Sequence, residues 1–187
     1  MQSTHEFGRV TATALSQMFS VPSQATEVQF SREGVVSQKS FLISIMFTGM
    51  VFGEFIVALN NEVAAQLLGK SFQGITSEES TALTEEITEI FCELLNIIVG
   101  SSIAPLNKIY QKITMTTPRV CFGQMKYPKV KAAKTIVMTA KGEVECHLYI
   151  DQMMLDLANS YQQSLTELMI SNEELNAALN KLKTQAG

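Results

Sequence analysis

The sequence predicts an α+β domain, an antiparallel sheet covered by helices, with a further helix at the C-terminus. Two observations carry this expectation. Helix-like and strand-like segments follow one another in the order helix, strands, helices, strands, helix, which suits an antiparallel sheet with helices packed on it. The 187 residues, 46% of them hydrophobic, suffice for one core and an appendage. Residues 1–151 are read as the domain and 152–187 as the appended helix.

Taken in order, residues 6–19 place Phe7, Val10, Ala14 and Met18 at helical spacing, and Pro22 stops the pattern. Val28 and Phe30 alternate within a short edge strand over 26–32. Residues 39–59 read as a buried β-hairpin turning near Thr48-Gly49-Met50. The apolar part of that run, FLISIMFTGMVFGEFIVAL, has the length of a membrane span. Gly49, Gly53 and Glu54, together with its β-branched and aromatic residues, oppose that reading. Asn60-Asn61 offers an N-cap to a short helix that Gly69 ends. The strongest helix begins at Ser77, where Glu78, Glu79, Ser80 and Thr81 supply capping and acidic groups. It is expected to reach about Gly100, with Pro105 opening another short helix toward Lys112. Strands follow at 113–123, 133–140 and 143–150, the last two joined by a turn at Lys141-Gly142. The hairpin-then-helix arrangement has the look of a unit used twice, though the halves share little sequence.

Composition excludes several functions. A formal net charge of −4 without a sizeable basic cluster makes a poor nucleic-acid binder. Lys126, Lys129, Lys131 and Lys134 read as a solvated loop. Cys92, Cys121 and Cys146 are far apart, His5 and His147 are isolated, and no CxxC pair occurs, so neither a disulfide framework nor a metal site is indicated. The opening MQSTHEFGRV lacks the apolar core of a signal peptide, and a reducing cytoplasm fits these features. No GxSxG motif or P-loop is present.

The chemistry concentrates on the helix from Ser77. Leu83, Ile87, Ile90, Leu94, Ile97 and Ile98 form an apolar stripe, and Glu86, Glu89, Glu93 and Asn96 form a second stripe on another face. A solvated face explains Glu86 and Glu89 well. It explains Asn96 less well, because an amide in a helix interior competes for backbone hydrogen bonds.

ELLNIIVG, from Glu93 to Gly100, resembles the ExxN signature of the CheC, CheX and FliY phosphatases. The proline of ITMTTPRVCFG, Pro118, the segment FTGMVFGEFIVALNNEVAAQLLG and the closing GEVECHLYI are similar to that family's order of parts over roughly residues 6–151. The resemblance implies a CheC/CheX-like fold and a phosphatase that acts on the aspartyl phosphate of a CheY-like receiver domain. Asn96 is then expected to orient the attacking water and Glu93 to hold the receiver's lysine, with Glu89 and Glu86 as docking residues. No cofactor of its own is implied, and Mg2+ comes with the receiver. Glu89 departs from the Asp or Ser that the family commonly carries four residues before the Glu. In NNEVAAQLLG, read as the first-half counterpart helix, Ala65 stands three residues after Glu62, so one site per chain is expected, as in the CheX-like branch.

Residues 154–182 place Met154, Ala158, Tyr161, Leu165, Leu168, Asn172, Leu175, Leu179 and Leu182 at alternating intervals of four and three, a heptad seam. Asn172 at an a position favours a parallel homodimeric coiled coil. The alternative is a helix folded back on its own domain. A second functional reading is a non-catalytic dimeric adaptor or sensor that binds a signalling partner through the same fold.

Overall fold

The computed structural model describes residues 2–31, 36–49, 52–110, 113–123, 125–126 and 132–151, and scattered helical positions between 160 and 177. Helix α1 (Gln2–Phe19) leads to short strands β1 (Ser23–Ala25), β2 (Gln29–Ser31) and β3 (Val36–Ser37). The hairpin β4 (Phe41–Thr48) and β5 (Gly53–Leu59) follows, then α2 (Asn61–Leu67) and the long α3 (Ser77–Tyr110). Strands β6 (Thr114–Met115), β7 (Arg119–Phe122), β8 (Met125–Lys126), β9 (Ala132–Thr139) and β10 (Gly142–Ile150) complete the domain. The expected α+β class and helix-covered antiparallel sheet are both present. The heptad seam lies outside the described residues.

The sheet explains the apolar run at 41–59. Its order is β1-β9-β10-β5-β4-β6, with β2 also on β9 and β7 also on β4. Strands β4, β5 and β10 are therefore central. Side chains alternate between two faces: Phe41, Ile43, Ile45, Phe55, Val57, Cys146 and Leu148 join the main core with α1 and α3, while Leu42, Ile56 and Ala58 form a second buried cluster. Every residue of β5 is buried, so the segment is apolar on both faces and mimics a membrane span. Gly53 is required by close approach, since a Cβ there would overlap the Phe47 ring and the Tyr149 carbonyl.

The two halves exchange their edges. Strands β1 and β2 of the first half pair with β9 of the second, and β6 and β7 of the second pair with β4 of the first. At the centre β5 and β10 run antiparallel. The repeated unit is thus helix, edge strands, hairpin, and the counterpart of α3 is α1 rather than α2. This corrects the assignment of NNEVAAQLLG as the first-half equivalent. The sequence of α1, QSTHEFGRVTATALSQMF, contains no asparagine.

Two helix ends differ from expectation. Asn60 makes no side-chain cap; instead Ser40 Oγ accepts from the Asn61 N–H at 3.0 Å. At α3 the cap is Thr76, not Ser77. Thr76 Oγ1 accepts from the Glu79 N–H at 3.3 Å, and the Glu79 carboxylate accepts from the Thr76 N–H at 2.8 Å, a reciprocal capping box. The Thr76 N–H, and then its hydroxyl, hold the Glu79 carboxyl below its usual range.

Helix α3 also runs on past Gly100 and through Pro105 to Tyr110, where a break was expected. Val99, Ser102 and Ile103 are buried there, so tertiary packing overrides two weak helix formers. Its stretch Ser77–Ala104 has the length and hydropathy of a membrane span, but Leu83, Ile87, Phe91, Leu94, Leu95 and Ile98 belong to the main core. Phe91 anchors the helix: it is fully buried, stacks on Phe19 of α1 at 5.4 Å and meets Phe41 of β4 edge-on at 5.7 Å.

A polar cluster occupies the sheet face opposite α1 and α3. Lys134 lies in β9, not in a solvated loop, and its Nζ is 3.0 Å from Glu145 Oε1. Ser37 Oγ donates to Glu145 Oε2 at 3.0 Å, and His147 Nε2 lies 3.2 Å from the same oxygen. Burial pushes the Glu145 carboxyl up, but the hydrogen bonds from His147, Lys134 and Ser37 and the Lys134 charge outweigh it and hold it at about 2. Burial pushes the neighbouring Cys146 thiol up to about 12, so it serves as a small apolar core residue.

Two outcomes follow from this packing. Phe91→Ala removes the anchor from a filled core, and urea denaturation should show a loss of about 3–5 kcal/mol. A Glu145 carboxyl held at about 2, below the usual carboxylate range, contributes stability at neutral pH that is lost as pH falls toward 2. Wild-type stability should therefore drop by roughly 2 kcal/mol more than that of Glu145→Gln between pH 5 and 2; an equal drop in parallel acid titrations of the two chains would disprove the assignment.

Candidate functional site on the outer face of α3

The rotation of α3 is set by its buried face. Phe91 marks the centre of that face, and at about 100° per residue Glu89, Glu93 and Asn96 fall about 140–160° round from it. All three are exposed. Glu93 and Asn96 are separated by one turn, a rise of about 4.5 Å. Among the described residues no hydrogen bond or ion pair engages Glu89, Glu93 or Asn96. The structure thus brings Glu89, Glu93 and Asn96 together on one outward face.

Glu86 stands apart from them. Its carboxylate is held by Lys70 Nζ, which lies in the connection after α2. Glu86 therefore ties that connection to α3. The fourth member of the outward row is Glu85, exposed four residues before Glu89. Helical spacing could have found it, since Glu85, Glu89 and Glu93 recur every four residues.

This row is destabilising by itself. Like charges four apart cost about 0.2–0.5 kcal/mol per pair in a helix, and no described cation neutralises Glu85, Glu89 or Glu93. Such a surface complements a basic one. Asn96 adds a carboxamide that both donates and accepts but is neither nucleophile nor general base. The arrangement can hold an ammonium group and orient a water beside it.

Two other residues complete the surface. Ile97, expected in the apolar stripe, is 43% exposed. It lies about 120° from Phe91, outside the buried arc. Among the described residues nothing lies within 4 Å of where a Cβ on Gly100, inside the helix, would stand. Pro118, singled out by sequence, immediately precedes β7, which pairs with the edge of β4. Among the described residues no group of three or more His, Cys, Asp or Glu side chains is placed to hold a metal ion.

This fold and this helix define a chemotaxis phosphatase fold. Residues 41–141, just over half of the chain, match the family model described as chemotaxis phosphatase CheX. The chain belongs to the CheX family. Among solved structures, CheX from Desulfovibrio desulfuricans superposes with a TM-score of 0.65 at 18% identity, over 81% of this chain and 100% of that one. CheX from Vibrio vulnificus gives 0.64 at 14% identity, over 81% and 100%. The CheX–CheY–BeF3–Mg2+ complex from Borrelia burgdorferi gives 0.65 at 17% identity, over 79% of this chain and 97% of that one. At these identities the likeness is one of fold. No curated protein matches by sequence.

Because Asn96 and Glu93 take no part in the chain's own packing, replacing them should spare the fold. Asn96→Ala should raise unfolding stability by about 0.5 kcal/mol through helix propensity, and Glu93→Gln should change it by less than about 0.5 kcal/mol. A loss above about 1 kcal/mol in either chain, in the same urea titration, would mean that the side chain is structural.

Proposed function

We propose that this chain removes the phosphoryl group from the aspartyl phosphate of a CheY-like receiver domain in chemotaxis or two-component signalling. The observation that carries the proposal is the display of Glu93 and Asn96, exposed and unpartnered, one turn apart on a helix fixed to the core by Phe91. Membership of the CheX family and the likeness to the Borrelia complex support it. In that complex beryllofluoride is a stand-in for the phosphoryl group.

An aspartyl phosphate is a mixed anhydride whose hydrolysis needs a water in line with the leaving carboxylate. Receiver domains carry Mg2+, which neutralises charge on the phosphoryl oxygens. What this chain adds is position. The α3 face docks over the receiver's site, where the Glu93 carboxylate accepts from the receiver's lysine and registers the two proteins. The Asn96 carboxamide then accepts from the water and holds it on the line of attack, an orientation effect without covalent chemistry. Glu89 and Glu85 extend the acidic row along the docking face. Glu86, tied to Lys70, contributes by bracing the helix. In α1, the topological counterpart of α3, there is no asparagine, so the proposal assigns one such site to each chain. The proposal places the protein in the cytoplasm, where receivers are phosphorylated, as a homodimer.

Asn96→Ala should slow receiver dephosphorylation by about a hundredfold or more, while its affinity for a receiver bearing beryllofluoride and Mg2+ stays near wild type. Glu93→Ala should act mainly on KM, raising it about tenfold and making it less dependent on salt than in wild type. Phosphate lifetimes on a panel of receiver domains read both. If wild type binds a receiver and leaves its phosphate lifetime unchanged, the adaptor reading replaces this one.

A further inference from the structure

Helix α3 carries a glycine where its own fold needs none. Gly100 stands inside a continuous helix from Ser77 to Tyr110, and its φ is not among the positive values. Among the described residues a Cβ built there meets nothing within 4 Å, whereas one at Gly53 would collide with its neighbours. Neither backbone conformation nor internal packing calls for glycine, and glycine weakens a helix interior relative to alanine.

Its position supplies the reason. Nine residues on from Phe91, Gly100 points about 180° away from the buried anchor, on the outermost line of the helix. It lies one turn past Asn96. The exposed residues on this C-terminal side, Ile97, Ser101 and Ala104, are uncharged, and the latter two are small. The exposed acids Glu85, Glu89 and Glu93 all lie on the N-terminal side. Asn96 marks the border between a charged half that attracts and a smooth half that permits close approach.

We infer that Gly100 is a contact residue for the receiver domain, its missing side chain letting the receiver close onto the α3 backbone and so setting how deep the Asn96 carboxamide reaches. The inference rests on the phosphatase reading above and adds to it the residue that sets the approach distance. Dispersion contacts lose a quarter to a half of their strength over a gap of about 0.5–1 Å, and misplacing a reacting group by about 1 Å costs on the order of a hundredfold in rate. A methyl group at Gly100 therefore weakens catalysis, and a larger side chain prevents docking. Gly100 is a positioning residue and touches no reacting atom.

The test compares wild type, Gly100→Ala and Gly100→Leu on a receiver domain whose phosphate the wild type removes. It reads Tm, kcat and KM, and the affinity for that receiver bearing beryllofluoride and Mg2+. Gly100→Ala should raise Tm by about 2–4 °C while kcat/KM falls about tenfold. Gly100→Leu should keep at least the wild-type Tm and lose beryllofluoride-receiver binding by about a hundredfold or more. Wild-type binding and rate in both variants would overturn the inference, as would a fall in Tm that tracks the loss of activity. Asn96→Ala run alongside separates the two claims. If it keeps the wild-type rate, the water-positioning mechanism fails and the Gly100 contact is judged by binding alone. If wild type binds no receiver, both fall together.

Discussion

Phe91 fixes the rotation of α3, and through it the identity of every residue the helix shows to solvent. Its ring lies against Phe19 of α1 and Phe41 of β4, so one side chain joins both core helices to the sheet. A fully buried aromatic contributes about 1.5–3 kcal/mol from area alone, and the geometric constraint matters as much. A helix has one azimuthal freedom once its axis is placed, and a large ring seated between two others removes it. With Phe91 inward, Glu89, Glu93, Asn96 and Gly100 can only be outward. The candidate site is thus a consequence of core packing, built on a rigid element rather than on a loop.

The outward face runs against the stability of the helix. Three carboxylates repeat at the spacing at which like charges repel, an amide sits where alanine would serve better, and a glycine occupies a position of open space. Ile97 adds exposed apolar surface beside them. The inward face shows no such compromise: Leu83, Ile87, Phe91, Leu94, Leu95 and Ile98 are all buried in the core. Departures from local optimality confined to one face of one helix are what a docking surface looks like when folding is left to the other face.

Much of this was legible in the sequence, for identifiable reasons. The hairpin β4–β5 announced itself because central strands are apolar on both faces, and the ExxN spacing needed only the helical period. What escaped depended on distant parts of the chain. The continuity of α3 through Pro105 requires the burial of Val99, Ser102 and Ile103 against elements that no local window contains. Lys134 looked solvated among other lysines, but its partner Glu145 lies on the neighbouring strand β10. Ile97 has the helical spacing of a core residue, but Phe91 is the centre of the buried face and Ile97 falls outside its arc. Thr76 and Ser77 are both residue types that cap, and only the reciprocal bond with Glu79 distinguishes them.

The exchange of edge strands was the least legible feature and bears on the number of sites. It makes α1 and α3 equivalent in topology: each precedes its own edge strands and hairpin, and each packs on the shared core. An architecture of this kind offers two outward helix faces. The short α2, which reads as a repeat of the hairpin-then-helix pattern in sequence, is an insertion between the halves. The comparison that matters is therefore α1 against α3, and it is lopsided. In α3 a Glu and an Asn stand one turn apart opposite the anchor; in α1 Glu6 is followed three residues later by Arg9, and no asparagine occurs. The α3 row, by contrast, leaves its carboxylates open to a cation from outside. The duplicated fold supplies two platforms, and the Glu and Asn one turn apart on which the proposed water-positioning rests stand on α3.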